Sequence, residues 1–183
     1  SVCAAWLAEA FVERTSARDP KVQYDGRVAF TRLQYGSQSL SSMGRFRREP
    51  TWAHDFPRAD FHFQKILSEL TFVRAVIDEG NILTLDDPDL GLFPIVYMSE
   101  PGFWQPSEVD VEHLRAFLQK GGFIIFDDFR GNHVDNLIYQ MRRVLPDAQF
   151  RKLDVAHPIF HSFFEIKQLD PRSGYYANMG DTE

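Results

Sequence analysis

One cysteine, Cys3, stands among 183 residues. No internal disulfide can form, and a zinc site built on cysteine ligands is excluded. The lone thiol leaves the compartment open, because disulfide-free chains occur outside the cytoplasm as well as in it. No apolar run approaches the roughly 18 residues that would cross a bilayer. The apolar start, Ser1 to Phe11, contains Glu9 and is followed by Glu13 and Arg14. It reads as a short helix or as the end of a processed anchor. In the second reading Cys3 is a lipidation candidate, with Val2 an unfavourable residue before it. A basic excess is also lacking: 20 Lys and Arg stand against 26 Asp and Glu, giving a net charge of −6. General nucleic-acid binding needs a positive footprint and is not expected. Ser99 has no Gly-x-Ser-x-Gly context, which argues against a serine hydrolase. No glycine-rich phosphate loop is found either, since Gly121-Gly122 precedes its strand and serves to stop a helix.

Aromatic residues are plentiful. Phe alone contributes 17 residues, enough for a heavily aromatic core with aromatic surface left over for a partner. A mass of 21.2 kDa allows one sizeable core and is too small for two ordinary domains. Residues 1–26 read as an N-terminal extension, a helix over 4–14 and a polar linker from Ser16 to Gly26. Residues 27–183 read as a single α/β domain with an irregular C-terminal tail from Gln168.

Within that domain, Arg27 to Tyr35 alternates apolar and polar residues as a strand does. Residues 36–59 form a long loop rich in Gly, Ser, Arg and Pro, of the kind that is functional or mobile. Asp60 to Val73 is helical, with Phe61, Ile66, Leu67, Leu70 and Phe72 or Val73 marking its apolar face. Asn81 to Leu85 is a short strand. Phe93 to Met98 is an apolar run suited to a strand buried on both faces. Ser107 caps the next helix, with Asp110 completing a box-like start, and Val111, Leu114, Phe117 and Leu118 recur at helical spacing. Gly121-Gly122 ends it, and Phe123 to Phe126 is a second buried strand. Strand, helix, strand in this order is a βαβ unit, which implies a parallel sheet. A further helix spans Val134 to Leu145, and Phe150 to Leu153 is a candidate strand.

The motifs LQYG (33–36), YMSEPGFW (97–104), LRAFLQKGGFIIFDDF (114–129), MRRVLP (141–146) and HPIFHSFFEI (157–166) together resemble an uncharacterised bacterial family, a domain of unknown function. That family is assigned a class I glutamine amidotransferase-like fold, and its His-Pro-Ile segment is similar to that of ThuA-like proteins. The resemblance spans most of residues 28–167. It implies a three-layer flavodoxin-like sandwich with a mostly parallel central sheet. It also implies a periplasmic or envelope-associated location, with the cytoplasm as the alternative. Members usually continue through a further strand and an acidic, aromatic-rich motif beyond the YYANMGDTE that closes this sequence.

Ligands of open α/β sheets bind beyond the carboxyl ends of the strands. The candidates there are Tyr35, Gly36, Ser99, Glu100, Asp127, Asp128 and Arg130, with His133 and His157 as neighbours. An active amidotransferase would carry its cysteine after the strand that follows Gly121-Gly122; here Asp127-Asp128-Phe129-Arg130-Gly131 stands instead. A carboxylate cannot replace a thiolate in that acyl chemistry without a new mechanism, and Cys3 is far away in sequence. The acidic pair has two readings. It holds a cation with His133 or serves as acid and base, or one Asp caps the following helix while the other pairs with Arg130 or a basic loop residue. The structural reading is favoured. His157 is expected beneath the sheet edge, bonded to backbone, and His54 and His62 show no ligand partner.

Two functions follow as expectations. The first is a non-catalytic interaction module, an accessory or stabilising subunit of an envelope or membrane-associated complex. It would dock through Arg45, Arg47, Arg48, Trp52 and Trp104. The second is a small-molecule binder or a hydrolase-type enzyme using Tyr35, Glu100, Asp127, Asp128, Arg130 and His157, with a carbohydrate-like ligand as the resemblance to ThuA-like proteins implies. Neither calls for a cofactor, and no metal ligand set is expected.

Overall fold

The structure, a computed structural model, describes residues 22–36, 50–128 and 131–169. The expected N-terminal helix with Cys3, the Arg45, Arg47 and Arg48 loop, Arg130 and the tail after 169 lie outside the described residues. Four strands form one sheet: β1 (Val28–Leu33), β2 (Ala75–Leu83), β3 (Ile95–Ser99) and β4 (Phe123–Asp127). Their order is β2-β1-β3-β4, and every neighbouring pair is parallel. Among the described residues three α-helices accompany them: α1 (Arg58–Leu70), α2 (Glu108–Gln119) and α3 (His133–Val144). The protein is therefore α/β with a parallel central sheet. No described helix is long and apolar enough to cross a membrane.

The βαβ unit forms as its sequence dictates. The Ser107 side chain accepts from the Asp110 N–H at 3.1 Å, and the Asp110 carboxylate accepts from the Ser107 N–H at 2.9 Å. This reciprocal box satisfies two N–H groups that a helix start would otherwise leave bare. Gly121 adopts φ +96°, a left-handed turn that a β-carbon would strain. The chain then re-enters the sheet with Ile95 beside Phe123 and Ser99 beside Asp127.

The two faces of the sheet differ in chemistry. On one, Leu33, Leu83, Val96 and Met98 meet Trp104, Val111, Leu114, Leu137 and Val144 in an apolar core. Each such side chain, fully buried, contributes roughly 1.5–3 kcal/mol. On the other, α1 lies over β1 and β2 and buries Asp60 and Gln64. Ile66 and Leu70 are exposed and Phe72 beyond the helix is fully so, while Phe61 and Leu67 are half-buried and the Phe63 ring meets Phe30 of β1 edge-on at 5.5 Å. The expected apolar face of this helix is thus only partly turned inward, because Arg32 on β1 draws the polar Asp60 beneath the helix.

The alternating segment forms β1 as expected, central and buried almost throughout, Thr31 and Arg32 included. Other expectations need correction. β2 begins well before Asn81. It carries a bulge, pairing Ala75 with Val28 and Gly80 with Phe30. A β-carbon on Gly80 would lie 3.0 Å from the Phe30 carbonyl oxygen, so glycine permits this close approach. β4 is an edge strand, with Phe123 59% exposed, and is not buried on both faces. Phe150 to Leu153 forms no strand.

Candidate functional site

The site grows from a buried arginine. Arg32 sits on central strand β1 with its side chain wholly shielded from solvent. A guanidinium cannot shed its charge, so it must be paired where it lies. Asp60 on α1 supplies the partner: Arg32 Nε donates to Oδ2 at 3.2 Å, and Nη2 donates to Oδ1. Arg32 Nη1 donates to the carbonyls of Trp52 (3.0 Å) and His54 (3.2 Å). The guanidinium also lies 4.8 Å from the centre of the Tyr97 ring, with Phe30 and Phe56 further out at 5.9 Å. One side chain thereby fixes the segment that carries His54.

The two aspartates at the end of β4 separate in role. Asp127 is turned toward the strand: it accepts from the Tyr97 hydroxyl at 3.0 Å and from the Asp128 N–H at 2.8 Å. Burial, and then the Asp127 carboxylate beside it, hold the Tyr97 hydroxyl well above its ordinary pKa of 10. Asp128 has φ +56° and turns the other way, placing Oδ2 2.6 Å from His54 Nδ1. Glu100, directly after β3, has φ +49° and is buried. Its N–H donates to the Asp127 carbonyl at 2.9 Å, and its own carbonyl accepts from the Tyr35 hydroxyl at 2.9 Å.

His54, Glu100 and Asp128 thus come from three segments, and each offers a ligand atom within 4.8 Å of the others. Imidazole nitrogen with carboxylate oxygen is a donor set suited to a divalent transition metal. The cluster lies where β3 and β4 end. In sheets of this order, the step between β1 and β3 is where the chain reverses its direction of travel and a crevice opens.

The other expected site residues are placed as follows. Tyr35 is buried and braces the chain after β3, donating to the carbonyls of Ser99 and Glu100. His133 does not join the aspartates; its ring packs edge-on against Phe103 at 4.8 Å. His157 is exposed and is not beneath the sheet, because the segment after α3 runs over the surface. Its Nδ1 accepts from the Ile159 N–H at 3.3 Å. Trp104 is 1% exposed and packs on Phe126, so it is core and not a docking residue. Trp52 is half-buried against the same core, and its carbonyl is held by Arg32.

His54 was the residue most hidden from sequence reasoning, since its partner is 74 positions away and its placement depends on Arg32. A charged residue inside the RVAFTRLQY strand was the available signal. A separate cleft of about 260 Å³ opens at the ends of β1 and β2, lined by Gln34, Tyr35, Thr84, Asp86, Trp104 and Gln105 among others. It includes none of Glu100, Asp127 or Asp128. A family model described as "Domain of unknown function (DUF4159)" matches residues 29–182. No curated protein matches the chain.

Proposed function

The chain belongs to this family of domains of unknown function, and from that premise we propose that it is a non-catalytic interaction module. It serves as an accessory or stabilising subunit docked on another protein of an envelope or membrane-associated complex. The observation that carries the docking role is a half-sheet that no described helix covers. Ile95 and Phe123 are register partners on the α1 side, yet α1 packs over β1 and β2. Ile95 is 44% exposed and Phe123 59%. On α1, Ile66 and Leu70 are exposed as well. Grouped apolar surface of this kind marks a protein-protein contact more often than scattered exposed residues do. The envelope setting rests on the resemblance to exported proteins alone.

The strand order supports a flavodoxin-like sandwich, and within that class we read the fold as amidotransferase-like. The turn after β4, where such an enzyme carries its cysteine, presents the strained Asp128, which is why the module is read as lacking amidotransferase chemistry. The test is co-isolation from native cells with wild type and with Phe123→Glu. A defined protein should accompany the wild type and be lost from the variant, whose melting temperature should be unchanged. A wild-type chain that sediments as a monomer and brings down nothing the variant does not would overturn the reading.

A second reading has one observation in its favour. The cleft at the ends of β1 and β2 offers Gln34, Thr84, Asp86 and Gln105. Amide, hydroxyl and carboxylate groups converging on one cleft suit a carbohydrate-like ligand. Chemical-shift changes at Gln34 and Gln105 on adding simple sugars would support it; silence there would remove it.

A further inference from the structure

We propose that His54, Glu100 and Asp128 form a binding site for one divalent transition-metal ion, zinc foremost. This goes beyond the docking role and is independent of it. The argument begins with the donor atoms. Nitrogen and oxygen ligands sit about 2.0–2.2 Å from zinc, so two ligands of one ion are separated by roughly 3–4 Å. The three donors lie within 4.8 Å of one another, and His54 Nδ1 and Asp128 Oδ2 are 2.6 Å apart. An ion requires the close pair to open by roughly 0.4–1.4 Å and a separation at the 4.8 Å limit to shrink by roughly 0.8–1.8 Å. The His54 and Asp128 side chains, 41% and 36% exposed, are the ones with room to move.

The backbone beneath the donors is fixed by groups outside the cluster. The His54 carbonyl is held by Arg32 (3.2 Å), which is itself locked to Asp60. The Glu100 N–H and carbonyl are tied to the Asp127 carbonyl and the Tyr35 hydroxyl. The Asp128 N–H is tied to the Asp127 side chain. Such supporting bonds orient ligands before the ion arrives, which distinguishes a built site from carboxylates that merely share a surface. A mixed imidazole-carboxylate set favours zinc, manganese or iron over calcium and magnesium, which take oxygen ligands almost alone. Three protein ligands leave a coordination position open to water or an anionic group at the strand-end crevice.

Calorimetric titration of zinc chloride into the purified chain, free of any polyhistidine tag, tests this. One ion per chain should bind, with calcium and magnesium giving no comparable heat. His54→Gln and Asp128→Asn, shown by circular dichroism to be folded, should each weaken zinc at least about tenfold. Manganese broadening of the histidine ring signals in the wild-type chain covers the case of a variant that fails to fold. It should strike His54 and spare His62 and His113. Absence of stoichiometric zinc binding, folded variants that bind like wild type, tighter calcium than zinc, or broadening centred on another histidine would each overturn the site.

Discussion

Tyr97 shows how much one side chain's setting can alter. Its ring lies against the Arg32 guanidinium and its hydroxyl donates to Asp127. Burial, followed by the neighbouring carboxylate, raises its pKa above the ordinary 10. The folded value exceeds the unfolded one, so the associated stability is complete below about pH 10. It is lost as pH rises beyond that, because the unfolded chain gives up the proton while the folded chain keeps it. Urea denaturation of wild type should therefore show a midpoint falling as pH rises above about 10, and Tyr97→Phe should flatten that fall. None of this was legible at Tyr97 itself, which reads as one more aromatic in the FPIVYM run. Asp127 and Asp128 were legible as a notable pair, but their division of labour was not. It depends on a left-handed turn at Asp128 and on a histidine supplied by a distant loop.

Among the elements, the helix α2 and its two strands were the most readable, because their signals are local. The Ser107 cap, the apolar spacing and the Gly-Gly stop all act within a few residues of where they stand. Helix α1 was legible in extent and misleading in orientation. A hydrophobic pattern gives the apolar face of a helix, but which face turns inward depends on what waits on the sheet. Here Arg32 and the Phe30 N–H draw Asp60 and Gln64 inward, and Ile66 and Leu70 go to the surface. The approach of α3 to the turn after β3 rests on a glycine that sequence reading passes over. A β-carbon on Gly102 would lie 2.4 Å from the His133 β-carbon, close to the helix backbone, where no flexible chain end can yield. Gly102→Ala should cost about 1–3 kcal/mol by overpacking, read as a lowered melting temperature. Because Glu100 lies two positions before Gly102, the same variant should displace that carboxylate.

At the scale of the whole molecule, the parallel sense of the sheet followed from the βαβ unit and the resemblance. The open half-sheet on the α1 side did not, because apolar strands look alike whether a helix covers them or not. The molecule's last feature of consequence is the Arg32 fork, which joins β1, α1 and the turn bearing His54 through four hydrogen bonds. Surface turns ordinarily open by themselves and exchange their amide hydrogens freely with solvent. This one cannot open without stranding a charged donor in the interior, so its opening is coupled to that of the sheet. The amides of Ala53, His54 and Phe56, each bonded within the turn, should exchange as slowly as those of β1. Asp60→Asn breaks the coupling by leaving the guanidinium unpaired, at a cost of about 3–5 kcal/mol. In that variant the turn should exchange far faster than the strand in deuterium-exchange measurements. The fork thus makes a surface loop share the cooperativity of the core.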